Sequence, residues 1–344
     1  MKTISKKITN LEELSSGELL KLRISDLPLS IKGTWIEECI AELYKELEEK
    51  GISFRPEFYL ADEWLTPDKE PVIGIPFFLA HPVLLKLEKK MMLEAEGAGK
   101  EWCMKLLRHE TGHAINYAYR LYRLNKWREL FGPFSSEYED TYRFRPYSKS
   151  FVRHLEKHYA QCHPDEDFAE TFAVWLTPGL NWHEKYKTWK ALEKLLYVDK
   201  LMEKIGQRKP QVAKGKKHWC LSRLRISLKN YYRKKQDLWA EEFPDFYDEY
   251  LNKVFYEQTR ETKDLLLVFD VLKKFRKNIL NNVARCTGER KFIISDLLKV
   301  IMSRCNKRRF CTAEGEADVV LRITAYITTL VMNYLYTGKF KGEK

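Results

Sequence analysis

The chain has 344 residues, 44% of them hydrophobic and 13% aromatic, which excludes wholesale disorder, a collagen-like fibre and a disulfide-stapled miniprotein. Its length suits one large domain or two ordinary ones, each with a core of its own. The net charge of +12 is unevenly spread, because residues 1–200 hold 30 Lys and Arg against 32 Asp and Glu while residues 201–344 hold 31 against 17.

In chain order, residues 34–50 set Trp35, Ile36, Cys39, Ile40, Leu43, Tyr44 and Leu47 at three- and four-residue steps, which predicts an amphipathic helix ended by Gly51. Two extended segments follow at 54–61 and 72–79, around a turn-like stretch at 66–71. Pro56 and Pro76 cannot donate to a sheet ladder, so an edge strand is expected, and an edge from Val72 to Phe78 would offer main-chain hydrogen bonds to an extended peptide. One helix is predicted from about 100 to 128, a long loop over 129–150, a helix opening at Pro164 and closing at Thr177-Pro178-Gly179, and another over 185–205. Gly206 to Pro210 reads as a boundary, giving regions 1–205 and 206–344. Beyond it, further helices are predicted near 221–232, 265–280, 293–302 and 319–335. The expected fold class is α+β and predominantly helical: a first region with a small edge-strand sheet, then a basic helical region.

Seven cysteines without C-x-x-C spacing read as reduced thiols of a cytoplasmic protein. The N-terminal stretch carries no apolar run of signal-peptide length. Val319–Tyr336 is apolar but carries Arg322 and Asn333, which predicts a buried helix rather than a membrane span.

Residues 109–113 read His-Glu-Thr-Gly-His on a predicted helix. Histidines four apart share one helix face, as two ligands of one tetrahedral zinc must, and the glutamate beside them can take a proton from metal-bound water. Two hydrogen-bonded histidines on a half-buried helix would give the same short pattern. Residues 163–173, His-Pro-Asp-Glu-Asp-Phe-Ala-Glu-Thr-Phe-Ala, add Glu166 and Glu170 on one face of a second helix. One can bind metal while the other steadies a ligating histidine through its second ring nitrogen. Acids in a first helical turn also suit the helix dipole alone.

Together these segments resemble the gluzincin metallopeptidases. Arg108 to His113, taken with Tyr159-Ala-Gln-Cys-His-Pro-Asp-Glu-Asp-Phe-Ala-Glu170, is similar to a bacterial family of zinc-binding metallopeptidases, and the second helix resembles that of anthrax lethal factor. The resemblance implies zinc held by His109, His113 and Glu166, with Glu110 as general base and Glu170 behind the ligands. It also implies that Tyr159, seven residues before Glu166, donates a hydrogen bond to the oxyanion. Otherwise Tyr159 is a core tyrosine, and His154, His158 and His163 are rival donors. The implied substrate is a peptide or protein. A zincin-like fold for the first region follows from the same likeness.

Residues 204–235 hold twelve Lys and Arg and no acid, with Trp219, Tyr231 and Tyr232 interleaved. That composition suits nucleic acid or an acidic partner. Residues 236–252 hold six acids and no base, so the two stretches could also offset each other. An alternative function is a nucleic-acid-associated or interaction protein whose zinc is structural and supports no turnover.

Overall fold

A computed structural model describes residues 10–138, 142–240 and 247–338. Its contacts divide the chain into two compact units, the first comprising residues 1–91, 95–139 and 144–233 and the second the remainder.

The first unit opens with α1 (Ser16–Leu19) and α2 (Trp35–Glu49). Ile36, Cys39, Ile40, Leu43 and Leu47 form the buried stripe of α2, as their spacing predicts. Strands β1 (Glu57–Ala61) and β2 (Val72–Pro76) pair in parallel, with Tyr59 opposite Gly74. All five residues of β2 are buried. Its outer edge is not the free template expected from sequence, because Leu65 forms an antiparallel bridge with Gly74 and occupies both main-chain groups there. Gly74 makes this possible, since a Cβ would stand 2.5 Å from the Leu65 side chain. Phe77–Ala80 then turns into a short 3-10 segment rather than extending the strand.

After α3 (Pro82–Met92) comes α4 (Lys100–Ala118), which carries the His-Glu-Thr-Gly-His segment. The long helix expected to reach residue 128 is broken: Arg120 takes a left-handed conformation, and the chain restarts as α5 (Asn125–Phe131). Helix α6 (Pro164–Leu176) begins and ends where Pro164 and Thr177 predict. The helical stretch expected over 185–205 is two helices, α7 (Trp182–Tyr186) and α8 (Ala191–Ile205). Arg108 grips both carboxylate oxygens of Glu46, at 2.6 and 2.8 Å, tying α4 to α2. A buried ion pair between Asp167 and Lys194 ties α6 to α8.

Residues 206–229 are stitched onto this first unit. The Gln211 and Val212 amides donate to the Ala118 carbonyl, the Tyr59 hydroxyl donates to the His218 carbonyl, and residues 22–25 pair with 224–228. The division between units falls inside α9 (Leu228–Trp239).

The second unit contains α10 (Tyr247–Val254), strands β3 (Tyr256–Glu257) and β4 (Leu266–Leu267), α11 (Val268–Thr287), α12 (Lys291–Lys307), β5 (Phe310–Thr312) and α13 (Glu316–Thr337). β5 lies between β3 and β4, antiparallel to both. Val319, Ile323, Ile327 and Val331 recur every fourth residue along α13 and close over α11 and α12 in an aliphatic core. Helix α13 is also long and apolar enough to cross a membrane by length and composition. The fold is thus α+β and predominantly helical.

Candidate metal centre

Helices α4 and α6 touch backbone to backbone, and Gly112 permits it. A Cβ at Gly112 would lie 2.8 Å from Ala169 Cα and 3.0 Å from its carbonyl oxygen. The glycine inside the motif is therefore a packing requirement, and it brings the histidine face of one helix against the acidic face of the other.

Three donor atoms converge there. His109 Nε2 and His113 Nε2 stand 3.2 Å apart, and Glu166 Oε2 lies 3.1 Å from each. Zinc bonds of about 2.0–2.1 Å in tetrahedral geometry would put neighbouring donors about 3.3 Å apart. The triangle fits one such ion, and all three side chains are buried.

The ring nitrogens facing away from the triangle settle which ones can bind metal. His109 Nδ1 is 2.9 Å from Glu170 Oε1, and His113 Nδ1 is 2.9 Å from Asp165 Oδ2. Each imidazole can donate its Nδ1 proton to a carboxylate, which leaves the Nε2 lone pairs for a cation. The Leu155 amide donates to Glu170 Oε2 at 2.8 Å. Asp165 takes the Tyr117 hydroxyl at 2.5 Å and the Asn116 side-chain amide at 2.6 Å. Sequence reasoning found Glu170 and missed Asp165. Its signal was present: an acid directly before Glu166, with Asn116 and Tyr117 following the second histidine.

The carboxylates around the two histidines favour positive charge at the triangle. Burial alone would lower the His109 imidazole, but Glu166 and Glu170 outweigh it and raise it to about 9. Asp165 and Glu166 overcome the same penalty at His113 and hold it well above its usual range. Burial would raise Glu166, yet His113 and His109 drive it well below ordinary carboxylates. A metal bound at the triangle would compete with protons at these imidazoles.

Glu110 is buried beside the triangle, and burial pushes its carboxyl up from the ordinary range. Thr66 Oγ1 sits 2.8 Å from Glu110 Oε2 and 3.1 Å from its carbonyl oxygen. Thr66 comes from the segment that bridges β2, and nothing in the local sequence marks it. Tyr159 is half-buried, with its ring centroid 5.6 Å from that of His109. Two successive left-handed residues, Lys157 and His158, turn the chain into it. Its rivals are engaged elsewhere: His154 Nε2 lies 2.9 Å from the Lys105 carbonyl, His158 stacks on Phe144, and His163 Nε2 lies 2.9 Å from the Ser136 carbonyl. A second tyrosine emerges from the structure alone. The Tyr138 hydroxyl donates to Glu166 Oε1 at 3.1 Å.

Residues 103–208 match the model of the family described as "Putative zinc-binding metallo-peptidase". The matched stretch contains the whole triangle, with Glu110, Tyr159, Asp165 and Glu170. No curated protein and no solved structure matches the chain. The zinc-binding character of the family and the His-His-Glu site agree on the cofactor.

The basic stretch 204–235 has a different outcome. Tyr231 and Tyr232 are buried, with Tyr231 edge-on to Phe77 at 5.4 Å, so two of the three aromatics suited to base stacking are core residues. Lys217 pairs with Glu57. In the acidic stretch 236–252, Asp248 pairs with Arg304 and Arg308 and Glu249 with Lys253, while Glu241, Glu242 and Asp245 lie outside the described residues.

Proposed function

We propose that the chain is a gluzincin-type zinc peptidase that hydrolyses peptide bonds with Glu110 as general base. The observation that carries this reading is the convergence of three metal donors within 3.2 Å of one another, with the buried Glu110 carboxylate on the helix that carries the two histidines. Bound zinc supplies a Lewis acid for the scissile carbonyl and a lowered pKa for water. Glu110 takes the proton of the attacking water and returns it to the departing amine nitrogen, so hydroxyl adds to the acyl carbon as the carbon–nitrogen bond breaks. Thr66 holds Glu110 Oε2 and leaves Oε1 to meet the water. Tyr159 donates its phenolic hydrogen to the oxyanion. We also propose a cytoplasmic setting, supported by seven cysteines that are all free.

The test compares wild type with Glu110→Gln on a whole-proteome peptide pool, scored by new N-termini and by bound zinc. New termini with wild type only, and equal zinc in both, are expected. Cleavage that persists in Glu110→Gln removes Glu110 as the base, and no cleavage by either protein removes the peptidase reading.

A further inference from the structure

His163 does two things at the start of α6. Its Nδ1 accepts the Asp165 amide at 3.1 Å, so the ring proton sits on Nε2 and is donated to the Ser136 carbonyl at 2.9 Å. The loop before Tyr138 is thereby pinned to the helix that carries Glu166. Tyr138 lies flat on the His163 ring, with centroids 3.8 Å apart and planes 14° apart, and its hydroxyl reaches Glu166 Oε1. Core packing does not account for this placement, because Tyr138 is 54% exposed.

The two oxygens of Glu166 therefore have separate duties. Oε2 faces both histidine nitrogens, and Oε1 accepts the phenol. A carboxylate ligand can swing to offer a cation both oxygens, which fills the position that a catalytic zinc keeps for water. A hydrogen bond donated to the second oxygen opposes that swing. We propose that Tyr138 is a positioning residue of the metal site, holding Glu166 as a one-oxygen ligand and so preserving an open coordination position. The inference rests on the zinc reading above and adds a residue from outside the two motif helices.

Tyr138→Phe keeps the ring and its stack and removes only the hydroxyl. Zinc affinity, measured by competition with a chromogenic chelator, is expected to fall about tenfold, at the lower end of the effect typical of residues behind metal ligands. The cobalt-substituted variant is expected to lose visible absorption as its coordination number rises. Tyr147→Phe, in the same loop and 92% exposed, is the control and is expected to match wild type in both measurements. Metal-free melts verify that each variant is folded. Unchanged zinc affinity and cobalt spectrum in Tyr138→Phe overturn the proposal, as does an equal loss in Tyr147→Phe. Failure of wild type to take up zinc overturns the site reading itself, before any variant is compared.

Discussion

Whereas the first unit buries His109, Glu110, His113, Asp165, Glu166 and Glu170 between two helices, the second closes over Leu272, Ile279, Leu297, Leu298, Ile301 and the α13 stripe. Taking charges out of water costs several kcal/mol per ion even after relaxation, so a cluster of this kind does not arise from the needs of folding alone. The aliphatic core of the second unit asks for no such explanation. The contrast separates what each set of residues is for: one core is organised around a cation, the other around apolar burial.

The contrast breaks most sharply at the ligands. His113→Ala or Glu166→Ala is expected to abolish stoichiometric zinc binding, read as metal content after desalting, while Leu298→Ala leaves it intact. Leu298→Ala should instead destabilise its own unit by about 2–5 kcal/mol, the range for emptying a leucine site in a packed core, as followed by denaturant unfolding. Zinc lost on Leu298→Ala would show that the division of roles is wrong. Gly112→Ala sharpens the comparison further. In an ordinary helix this change stabilises by up to about 1 kcal/mol, but here the added carbon meets the Ala169 backbone, and a loss of about 1–3 kcal/mol is expected from overpacking. Weaker zinc binding should accompany it, because the donors sit on the two helices being forced apart.

The smallest effect is that of pH. His109 titrates near 9 in the metal-free chain against 6.5 for a free imidazole. Its contribution to metal-free stability is therefore complete below pH 6.5 and is lost as pH rises through about 9. Zinc competes with that proton, so zinc affinity should rise across the same interval while the metal-free melting temperature falls. Metal-free stability that rises over this interval would contradict the assigned environment.

Much of the site was legible because its residues sit at helical spacing on two short segments. The 3.6-residue period and the chemistry of zinc mark His109, Glu110 and His113 and put Glu166 and Glu170 on one face, while which of those two glutamates binds the metal is implied only by the family resemblance. Asp165 was hidden because an acid in a first helical turn already has an explanation in the helix dipole. Thr66 and Tyr138 come from loops far along the chain, and only tertiary packing brings them to Glu110 and Glu166. The break in α4 depends on a left-handed Arg120, a conformation that an arginine in a helical pattern does not announce. Leu65 closing the edge of β2 was equally invisible, since the bridge is set by a turn and by the small size of Gly74. Cut at 205, the chain shows a neutral part and a basic part, yet residues 1–233 hold 40 Lys and Arg against 33 acids and residues 234–344 hold 21 against 16. Composition marks surface, while the compact units follow hydrogen bonds such as those from Gln211 and Val212 to Ala118.

The close contact of Gly112 with Ala169 has a thermodynamic consequence. Donors that belong to two helices form one site only when those helices are docked, so the native chain binds the ion far better than the unfolded chain. Free zinc at one hundred times its dissociation constant then adds about 2.7 kcal/mol to the stability of the first unit by mass action alone. A chelator, which touches no residue of the protein, becomes a denaturant that addresses the first unit through its metal.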